Sequence, residues 1–134
     1  MPPDARSPQA RVIAAYLDDV GLDLDAARRL AVTPPNRLAA FHLQQAAEKL
    51  VKAVHIVRGI RPTAEHHIDL LVAALPAEDT WRAKLSVLDP LSAFATAFRY
   101  PSPTGNRKDG PLPDEVARWI RVIGDLVAEA RTLT

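Results

Sequence analysis

Proline placement is the feature that most constrains this chain. Proline fixes φ and has no backbone N–H, so it is tolerated in the first turn of a helix and breaks an interior. The chain carries twelve prolines, and all but one sit in a cluster or at a junction: Pro2, Pro3 and Pro8, then Pro34 and Pro35, Pro62, Pro76, and four between Pro101 and Pro113. The stretches between these points are nearly free of proline and carry apolar residues at helical spacing. The exception, Pro90, follows Asp89, an N-cap and N1 pair that predicts a kink or a restart.

The first stretch, Pro8 to Val32, places Ile13, Leu17, Val20, Leu24, Ala27 and Ala31 on one face. Gly21 lies inside it, where glycine costs about 1 kcal/mol relative to alanine; either a close helix contact uses the missing side chain or the helix is locally weak. The second stretch, Asn36 to about Arg58, puts Ala39, Leu43, Ala47, Leu50, Val54 and Val57 on one arc. Gln44, Gln45, Glu48, Lys49, Lys52 and His55 form the other arc, predicted to be exposed, with Gly59 ending the helix. A shorter helix is predicted from Thr63, as N-cap, to before Pro76, burying Ile68, Leu71, Val72 and Leu75. The fourth runs from about Glu78 to Tyr100 with Trp81, Leu85, Leu88, Ala95 and Phe98. The last runs from Glu115 to about Thr132, capped by Asp114, with Val116, Ile120, Ile123, Val127 and Ala130. No segment alternates with period two. The expected fold is all-α: an antiparallel four-helix up-and-down bundle with one additional short helix, as a single domain over 1–134. Residues 1–7 are expected to be flexible, and 101–113 to form an exposed Pro/Gly loop.

Charge and cysteine content narrow the function classes. With 17 Lys plus Arg against 16 Asp plus Glu, the chain is not the strongly basic binder that coats nucleic acid regardless of sequence. It has no cysteine and so neither disulfides nor thiolate metal sites. No signal-peptide apolar segment appears before Gly21, and no apolar run reaches the length of a membrane span, so a cytoplasmic location is expected. No GxGxxG, Walker A, HExxH or GxSxG spacing occurs. No cofactor and no metal are implied.

The remaining polar groups each have a plain reading beside a functional one. Gln44, Gln45, Glu48 and Lys49 fit a binding surface, but an amphipathic helix needs no function to display a polar arc. His66 and His67 begin the short helix, where imidazoles often bond loop backbone; as functional groups either is a base near neutral pH. Arg99 and Tyr100 close the fourth helix, where a cation suits the C-terminal dipole. Functionally, Arg99 would hold a phosphate and Tyr100 would stack on a base.

Phe41-His42-Leu43-Gln44-Gln45-Ala46-Ala47-Glu48-Lys49-Leu50-Val51-Lys52-Ala53, followed by Arg58-Gly59-Ile60, resembles the HEPN domain family. His66-His67-Ile68-Asp69-Leu70-Leu71 is similar to that family's His-Asp-Leu-x-x-Leu segment, with His67 where aspartate is usual. Phe98-Arg99-Tyr100-Pro101 is similar to its Arg-Tyr-Pro helix ending, and Asp23-Leu24-x-Ala26-Ala27 to the end of its first helix. The resemblance spans about Ala14 to Ala130. It implies a dimeric helical bundle encoded beside a minimal nucleotidyltransferase in a toxin–antitoxin-like pair. Many members are metal-independent ribonucleases with an Arg-x4-6-His motif late in the chain. Here all four histidines precede Arg99, whereas Arg61 stands four intervening residues before His66 and five before His67.

Three functional readings follow. The first is a nucleotide- or RNA-binding accessory subunit without turnover, using Gln44, Gln45, Glu48, Lys49, Arg99 and Tyr100. The second is a metal-independent endoribonuclease whose catalytic candidates are Arg61, His66, His67 and Arg99. The third is a structural dimeric partner subunit that pairs through Leu38, Phe41 and Ile56.

Overall fold

A computed structural model describes residues 5–32, 36–101, 103–106 and 110–134. Among these the chain is all helical: α1 (Pro8–Leu30), α2 (Leu38–Val57), α3 (Ile68–Ala73), α4 (Thr80–Ser86), α5 (Pro90–Arg99) and α6 (Pro113–Arg131). The sequence expectations for 1–4, for Pro34 and Pro35, and for 102 and 107–109 of the Pro/Gly loop lie outside the described residues.

α1 starts where the sequence places its start. The Ser7 hydroxyl accepts from the Ala10 N–H at 3.1 Å, and Pro8 takes N1, where its missing N–H has no helical partner to lose. Ile13, Leu17, Val20 and Ala27 turn inward from it. Gly21 is exposed, and a Cβ built on it meets nothing within 4 Å, so no close helix contact uses the missing side chain.

α2 is the centre of the molecule. It packs against α1, α3, α5 and α6, and its apolar residues Ala39, Ala40, Leu43, Ala46, Ala47, Leu50, Val51, Ala53 and Val54 are at most 1% exposed. A helix that is apolar nearly all round belongs in an interior, and the five alanines keep the neighbouring helices close. α1 runs antiparallel to it: Gln9 near the start of α1 donates to the Ile56 carbonyl near the end of α2, while Asp23 near the end of α1 meets His42 near the start of α2.

That enclosure overturns the exposed polar arc. Gln44, Glu48 and His55 are buried, and Lys52 is half-buried. The segment 60–67 and α3 lie over this face and supply partners: the Gln44 amide donates to the His66 carbonyl, Glu48 meets His66, and His55 bonds the Leu71 carbonyl. Ile56, expected at an interface, is buried in the core, whereas Leu38 and Phe41 are exposed.

The shorter elements also differ from expectation. Thr63 caps no helix: its hydroxyl accepts from the Glu65 N–H, inside a turn that ends with His67 at the N-cap position of α3. His66 and His67 therefore precede the helix instead of beginning it. The fourth stretch does restart at Pro90, as its Asp-Pro pair predicts, and forms two helices, because Pro90 has no N–H to return to the previous turn. Tight turns close the gap, with Leu88 N–H to Leu85, Asp89 to Ser86 and Leu91 to Leu88. α6 starts at Pro113 with Leu112 before it, so Asp114 sits in the first turn, where its charge meets the helix dipole without capping it. Within the loop expected to be exposed, Pro111 is buried.

Two outcomes follow from this packing. Gly21→Ala, with open space around its Cβ, should raise stability by about 0.5–1 kcal/mol in urea denaturation. The second concerns His55. Burial first, and the nearby Lys52 charge to a lesser degree, lower its pKa, against an opposing effect of the Leu71 carbonyl. A folded pKa below the unfolded value of about 6.5 contributes stability that is complete above that value and is lost as pH falls through the lowered one. Unfolding midpoints should drop between pH 7 and pH 5, and His55→Gln, which keeps a donor for Leu71, should make that drop smaller.

Candidate functional site

Three elements meet around a cavity of about 230 Å³ lined by Gln44, His66, His67, Ser92, Thr96 and Arg99. α2 supplies Gln44 from one wall and Glu48 from beneath. The 60–67 segment supplies the two imidazoles, and α5 supplies Ser92, Thr96 and Arg99, which recur at i, i+4 and i+7 and so share one face of that helix.

The turn carrying the imidazoles is fixed by Glu65. Its Oε1 accepts from the backbone N–H groups of His66 at 3.1 Å and His67 at 3.0 Å, and stands 2.8 Å from His67 Nδ1. The His67 backbone N–H first, and then its ring, hold the Glu65 carboxyl below its ordinary pKa. The next backbone N–H, of Ile68, donates to the Ser92 hydroxyl at 3.2 Å, which ties this turn to α5. On the other side the Gln44 amide donates to the His66 carbonyl at 3.2 Å. The turn is thus held from both walls of the cleft by side chains that also line it.

Both imidazoles have a carboxylate at Nδ1. His66 Nδ1 is 2.6 Å from Glu48 Oε1, the same oxygen that accepts from Lys52 Nζ at 3.3 Å. The Glu48 side chain is 6% exposed and that of His66 74%, so a buried ion pair reaches up to an imidazole in solvent. A carboxylate beside a lysine only accepts, so Nδ1 carries the hydrogen and Nε2 of a neutral ring is left with its lone pair. Arg99 stands in the last turn of α5 with no hydrogen bond or ion pair to another described residue. Its guanidinium keeps all its donors for a ligand.

Of the residues singled out in the sequence, the fold brings Gln44, His66, His67 and Arg99 to the cleft, with Glu48 behind His66. It leaves out Gln45, Lys49, Arg61 and Tyr100. Helix geometry accounts for the first two, because positions 45 and 49 lie 100° round from 44 and 48 and turn toward α1. Lys49 Nζ accordingly bonds Asp23 at 2.7 Å and lies 3.8 Å from Asp19. Arg61 is exposed in the segment before the turn, and Tyr100 is 65% exposed beyond the end of α5; neither lines the cavity. Sequence reading missed Glu65, Ser92 and Thr96. The spacing of Ser92, Thr96 and Arg99 was the available signal for the last two, whereas no pattern announces Glu65 or the Glu48–His66 contact across 18 residues.

A second polar cluster lies between α1 and α2. Asp23, 9% exposed, holds His42 Nδ1 at 2.9 Å on one oxygen and Lys49 on the other. It clamps the two longest helices and lines no part of the cleft. Among the described residues no group of three or more His, Asp or Glu side chains is placed to hold a metal ion. No described helix is long and apolar enough to cross a membrane.

Among the described residues the arrangement offers one unpaired cation for an anion, two imidazoles oriented by carboxylates, and amide and hydroxyl groups around them. Comparison with curated proteins and with solved structures found no match. The model of the HEPN domain matches residues 15–132, nearly the whole helical assembly with every cleft residue inside it, and the chain belongs to the HEPN domain family.

Proposed function

We propose that this protein binds a nucleotide or RNA through the cleft between α2, the His66–His67 turn and α5. The observation that carries the reading is the unpaired Arg99 guanidinium in one cavity with Gln44 and two imidazoles. Arg99 takes a phosphate through its planar donors, and Gln44, Ser92 and Thr96 offer further hydrogen bonds to the ligand around it. In this reading α1, α2, α5 and α6 form an antiparallel four-helix bundle to which α3 and α4 are added. The protein works in the cytoplasm as a homodimer, as the accessory subunit of a minimal nucleotidyltransferase in a toxin–antitoxin-like pair. The exposed Leu38 and Phe41 suit a protein contact.

A charged hydrogen bond to phosphate contributes about 1.5–3 kcal/mol. Arg99→Ala should therefore weaken binding of a short single-stranded RNA roughly tenfold or more, measured by fluorescence anisotropy at fixed salt. Unchanged affinity would remove the assignment of the cleft.

A second reading, a metal-independent ribonuclease, is favoured by the two carboxylate-held imidazoles. One Nε2 would take the proton of a ribose 2′-hydroxyl as its oxygen bonds to phosphorus. The P–O5′ bond would then break, and the other ring, protonated, would give its proton to the departing O5′. Arg99 would neutralise the charge gathering on the phosphate oxygens. Incubation with mixed RNA in chelator tests it: cleavage that disappears in the His66→Ala, His67→Ala double variant establishes turnover, and intact RNA with the unaltered protein leaves binding alone.

A further inference from the structure

Asp89 stands before Pro90, where an aspartate ordinarily caps the helix that follows. Here its backbone is helical, at φ −50° and ψ −40°, and its side chain bonds no N–H of α5. Its Oδ1 is shut off from solvent and is, among the described residues, the one buried side-chain nitrogen or oxygen without a hydrogen-bond partner. Burial first, and then the charge of Asp69, hold its carboxyl above the ordinary pKa. An unpaired buried acceptor destabilises the fold that contains it, and no contact within the chain offsets this one.

Asp89 lines a cavity of about 380 Å³ between α3, α4 and the start of α5. Asp69, Arg82 and Ser86 line it too, and the rest of the wall is Val72 and three alanines. The cavity shares no lining residue with the cleft at Arg99. Its volume falls within the roughly 300–1,000 Å³ of sites that enclose a small molecule.

The polar part of this wall is rich in acceptors. The Asp69 carboxylate makes no hydrogen bond or ion pair to another described residue. Ser86 gives its hydroxyl hydrogen to the Ala83 carbonyl at 2.6 Å, so its Oγ is left to accept. Arg82 turns a guanidinium N–H to the Leu75 carbonyl at 3.3 Å and pairs with neither aspartate. With both carboxylates ionised, the wall carries two negative charges against one positive.

A ligand that fits brings one positive charge, donors for three acceptor side chains, and an apolar body for the methyl-lined part of the wall. A primary alkylammonium has all of these, since its nitrogen carries three N–H donors on an aliphatic chain. A calcium ion takes six to eight oxygens, more than these side chains supply, and no third His, Asp or Glu among the described residues joins the two aspartates.

We propose that this cavity binds a small aliphatic amine, its ammonium held by Asp89, Asp69 and Ser86 Oγ and its alkyl chain laid against Val72 and the alanines. Rotation about the soft Cβ–Cγ bond of Asp89 turns the buried oxygen to the ligand, which supplies the partner that the fold withholds. The proposal does not rest on the reading of the cleft at Arg99.

The test is a titration of the full chain with n-butylammonium chloride at neutral pH and constant ionic strength, followed by ¹⁵N–¹H NMR. Saturable shifts are expected at the amides of Val72, Ala83, Ser86 and Asp89, with those of His66 and Thr96 unmoved. n-Butanol, the same chain without the charge, should give no saturable shift. Asp89→Asn, which keeps the shape and removes the charge, should weaken binding about tenfold or more, as expected for a lost hydrogen bond between charged groups. Asp69→Asn, at an exposed position, should weaken it by roughly two- to fivefold, and Arg99→Ala should leave it unchanged. Absence of saturable shifts with butylammonium overturns the proposal, as does equal binding of butanol. Unchanged affinity in Asp89→Asn overturns it too; should that variant fail to fold, unchanged affinity in Asp69→Asn has the same force. Tighter binding of magnesium or calcium chloride at the same amides overturns it in favour of a metal site.

Discussion

A helix packed against four others can leave few polar groups to water, and α2 is such a helix, with Leu38 and Phe41 exposed at its start. Its Gln44, Glu48 and His55 are buried, and each unpaired polar atom there would cost about 1–3 kcal/mol or more. The rest of the structure is arranged to meet that demand. His55 draws the Leu71 carbonyl down onto α2 and so seats α3; Gln44 and Glu48 hold the turn at His66. The cleft exists because the chain that covers these polar groups must itself pass close to α2, where α5 also packs.

The same demand is met differently on the other side. Asp23 of α1 satisfies His42 and Lys49 with one carboxylate, 9% exposed, and the result is a clamp between two long helices. Both clusters join a buried carboxylate to a histidine and a lysine. The difference lies in what surrounds them: the Glu48 imidazole stands beside an unpaired arginine in a cavity, and the Asp23 imidazole does not. Similar chemistry at residue level thus serves packing in one place and a candidate site in the other.

Much of the fold was legible because proline and apolar spacing act locally. The start of α1 at Pro8, the Asp89–Pro90 break and the left-handed Gly59 after α2, at φ 77°, are each settled by a few adjacent residues. The fate of the polar arc was not legible in the same way. Helical periodicity fixes the angle between Gln44 and Lys49 but not which neighbour covers either side chain, and 48% hydrophobic content leaves polar residues to fill part of an interior. The motif reading reached Gln44, His66, His67 and Arg99 but could not separate them from Gln45, Lys49, Arg61 and Tyr100, because joining them is a matter of contacts between elements. Thr63 misled for a related reason. Its hydroxyl does bond a backbone N–H, but in a turn that Glu65 then extends to His67, and a serine or threonine two residues before a polar pair reads alike in both settings.

The break at Pro90 shows how a local rule reaches the site. Had residues 78–100 made one rod, the helix that packs on α3 would have continued in the same direction past it. Losing one backbone N–H allows the chain to turn, so that α4 packs on α3 while α5 packs on α2. Leu91 and Ala95 then face the core, which turns the adjacent positions Ser92, Thr96 and Arg99 toward the His66–His67 turn. Ser92 makes the connection material, since its hydroxyl takes the first N–H of α3. The direction of Arg99 is set nine residues earlier, by a residue that touches no part of the cleft and acts only by lacking a hydrogen.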